Sequence, residues 1–279
     1  MAYLPVSQTS PFAFDIEALG RLGGELSDQH QSADPFPHTI IDDFFSPEMV
    51  RYCLDHFPSK LGDAGESYER DQERFKQSFQ PDEMSSELRA MFYALNSLPF
   101  VRLVERITGI KGLIPDPYFL GGGFHETRNG GHLSMHADFN HHKPMNLERR
   151  VNVLIYLNKN WSDAYGGQLE LWDQGMKSCV QSVVPEAGRC VIFNTTGESW
   201  HGHPKPVAHP EGIPRRSIAL YYYTSTWDDD AQGKTTQFRR RPGTGDKTDW
   251  QVKTEETLRE FLPPVLMRPT SKVIRRIFS

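Results

Sequence analysis

Met135-His136-Ala137-Asp138 sets an imidazole and a carboxylate two residues apart. On a strand, such positions project from one face, so His136 and Asp138 can donate to a single metal ion. The third donor must come from a distant segment. Trp200-His201-Gly202-His203 offers two candidates, which again share a face. His201 follows the buried-type run Val191-Ile192-Phe193 and is the preferred ligand. His203 precedes Pro204, begins a loop and is the reserve. Two imidazoles and a carboxylate bind Fe(II) on one side and leave the opposite positions open. Catalytic zinc accepts the same donors, but the helical His-Glu-x-x-His pattern of many zinc hydrolases is absent. His209-Pro210-Glu211 lies in a proline-rich loop with Pro206 and Pro214, and is expected to be solvated.

Arg215-Arg216-Ser217 opens the apolar run Ile218-Ala219-Leu220-Tyr221-Tyr222-Tyr223. Arg215, Ser217, Ala219 and Tyr221 share one strand face. A guanidinium fork and a hydroxyl two residues apart can together grip a carboxylate. Arg216, on the other face, is expected to meet solvent.

These groups need a rigid frame, and the local patterns suggest one. Ser46-Pro47-Glu48 predicts an N-cap and first helical turn, followed by Met49, Val50, Cys53, Leu54 and Phe57 at helical spacing. Residues 12–26 can form a short helix, and residues 86–107 are largely helical with an interruption near Pro99. Residues 62–80 are charged and expected to be loop. From Ile114 the period shortens. Apolar runs at 133–137, 151–157, 168–172, 180–184, 190–194 and 217–224 are separated by turn residues, including Gly166-Gly167 and Glu186-Ala187-Gly188. Short strands after a helical block predict an α+β, mainly β fold: a two-sheet jelly roll or barrel with helices packed on one side.

The chain has 279 residues and a net charge of -5, which argues against general affinity for nucleic acid. Charge is uneven, with 11 Lys/Arg against 5 Asp/Glu from Lys234 to Ser279. Three widely spaced cysteines without a CxxC pair imply free thiols in a reducing compartment. Neither a secretory signal nor an apolar run of membrane-spanning length is visible. A cytoplasmic protein with no membrane partner is expected.

The ordered motifs resemble the Fe(II)/2-oxoglutarate-dependent dioxygenase superfamily, of the prolyl 4-hydroxylase type. The likeness runs from about Gly123 to Thr224, with a weaker part at 35–57. It includes Arg149-Arg150-Val151-Asn152-Val153-Leu154-Ile155-Tyr156-Leu157-Asn158, Gly166-Gly167-Gln168-Leu169-Glu170-Leu171, and the hairpin Pro185 to Phe193. The resemblance implies a double-stranded β-helix, with an N-terminal extension at 1–34, a dioxygenase domain at 35–228 (jelly-roll core about 114–228) and a basic C-terminal extension at 229–279. It implies iron on His136, Asp138 and His201, and 2-oxoglutarate on Arg215, Tyr156 and Ser217. The implied reaction hydroxylates an unactivated C–H bond while 2-oxoglutarate and O2 become succinate and CO2, with ascorbate as a candidate reductant. The carboxylate of Asp138 argues against a halogenating relative, which has a small residue there. The substrate expected is a prolyl residue or a small molecule, with His132, Phe139, Asn140, His141 and Trp172 as candidate contacts. The Pro204 to Pro214 insert lengthens the spacing from His201 to Arg215, leaving His203 and Arg216 as alternatives. Two other readings fit the residues: a non-catalytic cupin-like metal- or ligand-binding module, and a zinc-dependent hydrolase.

Overall fold

The computed structural model describes residues 4–7, 10–63, 65–228, 233–248 and 254. In chain order its elements are β1 (Val6–Ser7), β2 (Ser10–Phe14), α1 (Ile16–Gln31), β3 (His38–Ile41), α2 (Pro47–Asp55), β4 (Glu66–Arg70), β5 (Glu73–Phe79), α3 (Ser86–Leu95), α4 (Leu98–Thr108), β6 (Ile114–Pro115), β7 (Gly123–Ala137), β8 (His141–His142), β9 (Leu147–Tyr156), β10 (Leu169–Trp172), β11 (Cys179–Val183), β12 (Cys190–Asn194), β13 (His201–His203), β14 (Arg215–Thr224) and β15 (Gln237–Phe238).

Capping chemistry sets the helix starts. Asp15 Oδ1 accepts the Ala18 amide at 2.9 Å, Ser46 Oγ accepts Met49 N at 3.3 Å, and Ser85 Oγ accepts Leu88 N at 3.4 Å. Each side chain satisfies an amide that has no partner within its helix. Pro47 occupies the first turn of α2, where its missing N–H costs nothing. The helical stretch read across 86–107 is two helices, α3 and α4. Pro99 falls in the first turn of α4, and Gly109, at φ 73°, closes it.

The main sheet is antiparallel, with strand order β11-β10-β13-β7-β14-β9-β12-β3, and it curls into a jelly roll. β9 shows how the two faces divide. Val151, Val153, Ile155 and Leu157 join the helices in one apolar core, with Leu19, Val50, Cys53, Leu88, Phe92 and Phe100 among its members. Tyr156 faces the inside of the roll, in a second cluster with Phe36, Leu169, Val191 and Phe193. Alternation of period two is therefore what separates packing residues from lumen residues. Leu19 and Leu22, within the extension expected at 1–34, sit in the first core.

Two segments differ from expectation. Residues expected as loop at 62–80 contain the β4–β5 hairpin, and β5 adds to the edge of β7. Its side chains are mostly charged or polar, which masks the pattern; pairing to β7 organises it. β7, expected as a short run at 133–137, extends back through Asn129-Gly130-Gly131 to Gly123. The pairing jumps from Lys76↔Thr127 to Arg74↔His132, so β7 bulges there. The bulge is tied down by Gly130 N to Val207 O at 2.8 Å and Val207 N to Gly131 O at 2.9 Å. A Cβ on Gly131 would lie 2.7 Å from Arg74 O. The Pro204 to Pro214 insert is thus held against the sheet at Val207.

Of the basic extension at 229–279, residues 233–248 and 254 are described and the rest lies outside the described residues. Among the described residues no helix is long and apolar enough to cross a membrane.

Candidate metal centre

β13 lies beside β7, with His201 directly opposite His136. Cross-strand pairing therefore sets the two imidazoles side by side, ring centroids 4.3 Å apart. Asp138 follows the end of β7. Its carboxylate lies 3.6 Å from His136 Nε2 through Oδ1 and 3.4 Å from His201 Nε2 through Oδ2. One donor atom from each residue falls within 4.8 Å of the others. His201, not His203, is the member of this cluster.

Both rings are oriented by the chain's own carbonyls. His136 Nδ1 contacts Ser134 O and His201 Nδ1 contacts Ser199 O, each at 2.9 Å. A carbonyl accepts only, so each Nδ1 carries a proton, and in the neutral ring it is Nε2 that holds the lone pair toward the cluster. Burial, followed by the adjacent His136 imidazole, pushes His201 down to about 4. The ring is neutral at neutral pH, as a metal ligand requires.

Asp138 is buried, which alone would raise its pKa. The Arg149 guanidinium, His201 and His136 outweigh that and hold the carboxyl well below the usual range. Arg149 Nη2 is 3.0 Å from Asp138 Oδ2, and Asn152 Nδ2 donates to the same oxygen at 2.7 Å. Arg149 also donates to Asn152 Oδ1 from Nε at 3.1 Å and Nη2 at 2.8 Å. Its guanidinium stacks between Tyr221 and Phe139, with centroids at 3.5 and 4.5 Å. Sequence reading placed Arg149 and Asn152 on the central strand without assigning them a part. Their type and buried position are the only signal, because the side Arg149 faces is set by a bulge in β9, whose pairing with β14 skips Arg150, and this is not visible in the sequence.

The cluster lines a cavity of about 630 Å3 that also contains Arg215 and Ser217. Ser217 pairs across the sheet with Tyr156 on one side and His125 on the other. Arg215 is 5% exposed, and burial lowers its pKa, opposed by Tyr156. Its Nε donates to Gly167 O at 2.7 Å. Among the described residues no carboxylate lies within ion-pair distance of it. The Tyr156 ring sits 5.0 Å from the guanidinium, and among the described residues its buried hydroxyl has no hydrogen-bond partner. An uncompensated buried cation beside an orphaned hydroxyl fits an anionic ligand.

Gly166-Gly167 enables this arrangement. Both glycines have positive φ, 72° and 71°, and Gly167 N donates to Lys205 O at 3.0 Å. A Cβ on Gly166 would meet Pro206 O at 2.1 Å, and one on Gly167 would meet Arg215 Cδ at 2.9 Å.

The remaining candidates are dispersed. Arg216 does not meet bare solvent: its Nε donates to Glu126 Oε2 at 2.9 Å and its guanidinium covers Phe57. His209 is buried rather than solvated, against Trp161 and Tyr165. His203 lines the cavity and its Nδ1 is buried without a partner. Of the candidate substrate contacts, Phe139 and His141 line the cavity. Trp172 packs with Met135, Ala137, Met176 and Trp200, His132 meets Asp71 O at 3.1 Å, and Asn140 Oδ1 accepts Lys234 N at 2.7 Å.

Residues 122–223 match the family model of the 2OG-Fe(II) oxygenase superfamily. A Pseudomonas putida prolyl-4-hydroxylase structure is 20% identical at a TM-score of 0.50, over 73% of this chain and 99% of that one. A Trichoplax adhaerens prolyl hydroxylase, solved with a peptide fragment of the hypoxia inducible factor oxygen degradation domain, is 18% identical at 0.53, over 78% and 96%. At these identities the likeness is one of fold. No curated protein matches the chain. The likeness read from the motifs therefore holds over residues 122–223.

Proposed function

We propose that this chain is an Fe(II)/2-oxoglutarate-dependent dioxygenase that hydroxylates an unactivated C–H bond, converting 2-oxoglutarate and O2 to succinate and CO2. One observation carries the reading. A single cavity holds the His136, Asp138 and His201 donors and also Arg215, a buried cation with no acidic partner among the described residues.

His136 Nε2, His201 Nε2 and an Asp138 oxygen would hold the iron. With its co-substrates bound, the metal supplies the oxidation of the C–H bond. The chain's residues do the rest. Ser134 O and Ser199 O accept from each Nδ1–H and so leave Nε2 as the ligating nitrogen of each neutral ring. Arg149 and Asn152 hold Asp138 ionised and in place. Arg215, Ser217 and the Tyr156 hydroxyl receive the distal carboxylate of 2-oxoglutarate, replacing an unsatisfied buried charge with a paired one. The β4–β5 hairpin, through Tyr68, Glu73 and Lys76, walls the cavity from solvent. The substrate is a prolyl residue or a small molecule, with Phe139 and His141 lining the cavity that would receive it. Ascorbate is a candidate reductant. The free thiols of Cys53, Cys179 and Cys190 support a reducing, cytoplasmic setting.

The test is succinate release from 2-oxoglutarate, measured with and without Fe(II) and O2. Release that needs both, and is lost in His136→Ala and Asp138→Ala, is expected. Turnover of an ester or amide under anaerobic conditions would favour a zinc hydrolase. Metal binding with no 2-oxoglutarate turnover under any condition would favour a non-catalytic module. A cell extract screened for products 16 mass units heavier then identifies the substrate.

A further inference from the structure

β7 carries His136 at its C-terminal end, and that end needs a partner on each side. β13 covers one side. On the other, β5 pairs β7 only as far as Glu73↔Leu133. Beyond that point β7 would present an open edge. The structure fills it with a segment far along the chain, outside the matched residues 122–223. β15 pairs Gln237↔Ala137 and Phe238↔His136, and Arg239 N donates to Met135 O at 2.9 Å. The strap is anchored at both ends. Lys234 N donates to Asn140 Oδ1 at 2.7 Å, and the Arg239 guanidinium lies 4.7 Å from the Trp200 ring centroid.

Residues directly opposite on neighbouring strands share a face. Phe238, His136 and His201 therefore form a row across three strands, all lining the cavity. The Phe238 and His136 centroids are 5.6 Å apart, inclined at 40°. His136 is thus bounded by His201 on one side and Phe238 on the other, while Ser134 O holds its Nδ1. Lys234, Thr235 and Thr236 line the same cavity.

We propose that the strap at 234–238 is a working part of the metal site, with Phe238 a positioning residue that holds the His136 imidazole and keeps water from that side of the centre. The proposal rests on the reading of His136, Asp138 and His201 as metal ligands. Removing the ring leaves His136 with one neighbour fewer and opens the apolar side of the centre. Hydrogen-bonding groups that orient ligands set metal affinity by roughly 10–100-fold, and the apolar shell around a site controls its solvent access and dielectric.

Calorimetric titration of the full chain with Co(II), read together with the Co(II) ligand-field spectrum, tests this. Phe238→Ala is expected to weaken Co(II) binding about tenfold and to alter the spectrum, with Phe238→Tyr restoring both. Thermal unfolding of each metal-free variant reports whether the fold survives. If Phe238→Ala unfolds, Phe238→Leu, which keeps the bulk but loses the flat ring, takes its place with the same expectation. A folded Phe238→Ala or Phe238→Leu protein that binds Co(II) as the wild type does, with the same spectrum, overturns the proposal. Wild-type protein that fails to bind Co(II) at all would instead overturn the metal-site reading.

Discussion

Arg149 and Asp138 form a buried ion pair at 3.0 Å, side chains 2% and 11% exposed, inside the cluster that could hold the metal. The carboxylate is thus ionised before any metal arrives, and its geometry is set by the protein. Removing one partner of such a pair leaves a buried charge uncompensated, a loss of roughly 3–5 kcal/mol. Arg149→Met should lose stability on that scale in urea unfolding of the metal-free protein. Added Co(II), by neutralising Asp138, should recover a large part. Equal destabilisation with and without Co(II) would count against a metal-facing Asp138.

His201 and His203 are two residues apart, yet His201 alone lies in the donor cluster. His201→Ala should abolish stoichiometric metal binding. His203→Ala should leave metal content unchanged. Metal analysis of the purified variants decides, and the reverse pattern would move the third ligand to His203.

Arg215 and Arg216 are adjacent but occupy different surroundings. Truncating a buried charge that pairs with a ligand costs 2 kcal/mol or more, about 30-fold in affinity. Arg215→Ala should therefore raise the KM for 2-oxoglutarate by about that factor or more. Arg216→Ala, which loses its pair with Glu126 and its contact with Phe57, should leave that KM near wild type.

Gly167 supports Arg215 through its carbonyl at 2.7 Å. Its φ of 71° and the 2.9 Å approach of a new Cβ to Arg215 Cδ penalise any side chain. Gly167→Ala should cost about 1–3 kcal/mol of stability and raise the KM for 2-oxoglutarate several-fold. A stable variant with unchanged KM would show that Arg215 needs no help from this turn.

His30 lies away from the cavity, fully buried between Thr39 Oγ1 at 3.0 Å and Asn194 Oδ1 at 3.1 Å. Burial, opposed by the Asn194 hydrogen bond, lowers it from 6.5 to about 4. The unfolded chain binds this proton more readily, so stability rises with pH across that window. The contribution is whole above pH 6.5 and is lost as pH falls toward 4, a difference on the order of 3 kcal/mol. Urea unfolding of wild type and His30→Gln at pH 7, 5.5 and 4 should show a shallower decline in the variant.

Much of the frame is legible in the residues themselves. The caps at Ser46 and Gly109, the β12 run Cys190–Asn194 and the alternation of Val151, Val153 and Ile155 are short-range signals. Each depends on neighbours a few positions away, so the sequence alone determines them. The donor types and their order along the chain are equally plain in His136-x-Asp138, the later His pair and Arg215-x-Ser217.

Other features depend on contacts between distant segments, and only the tertiary structure decides them. Strand register places His201 opposite His136 and so brings it, rather than His203, to the cluster. The pairing of β9 with β14 skips Arg150. One extra residue in a strand reverses the faces beyond it, and this turns Arg149 to the side of Asn152 and Asp138. A polar hairpin at 66–79 becomes ordered by adding to β7, and Phe238 reaches His136 from about a hundred residues away. Local periodicity cannot encode such choices, because they are set by backbone hydrogen bonds to strands that the segment meets only once the chain has folded.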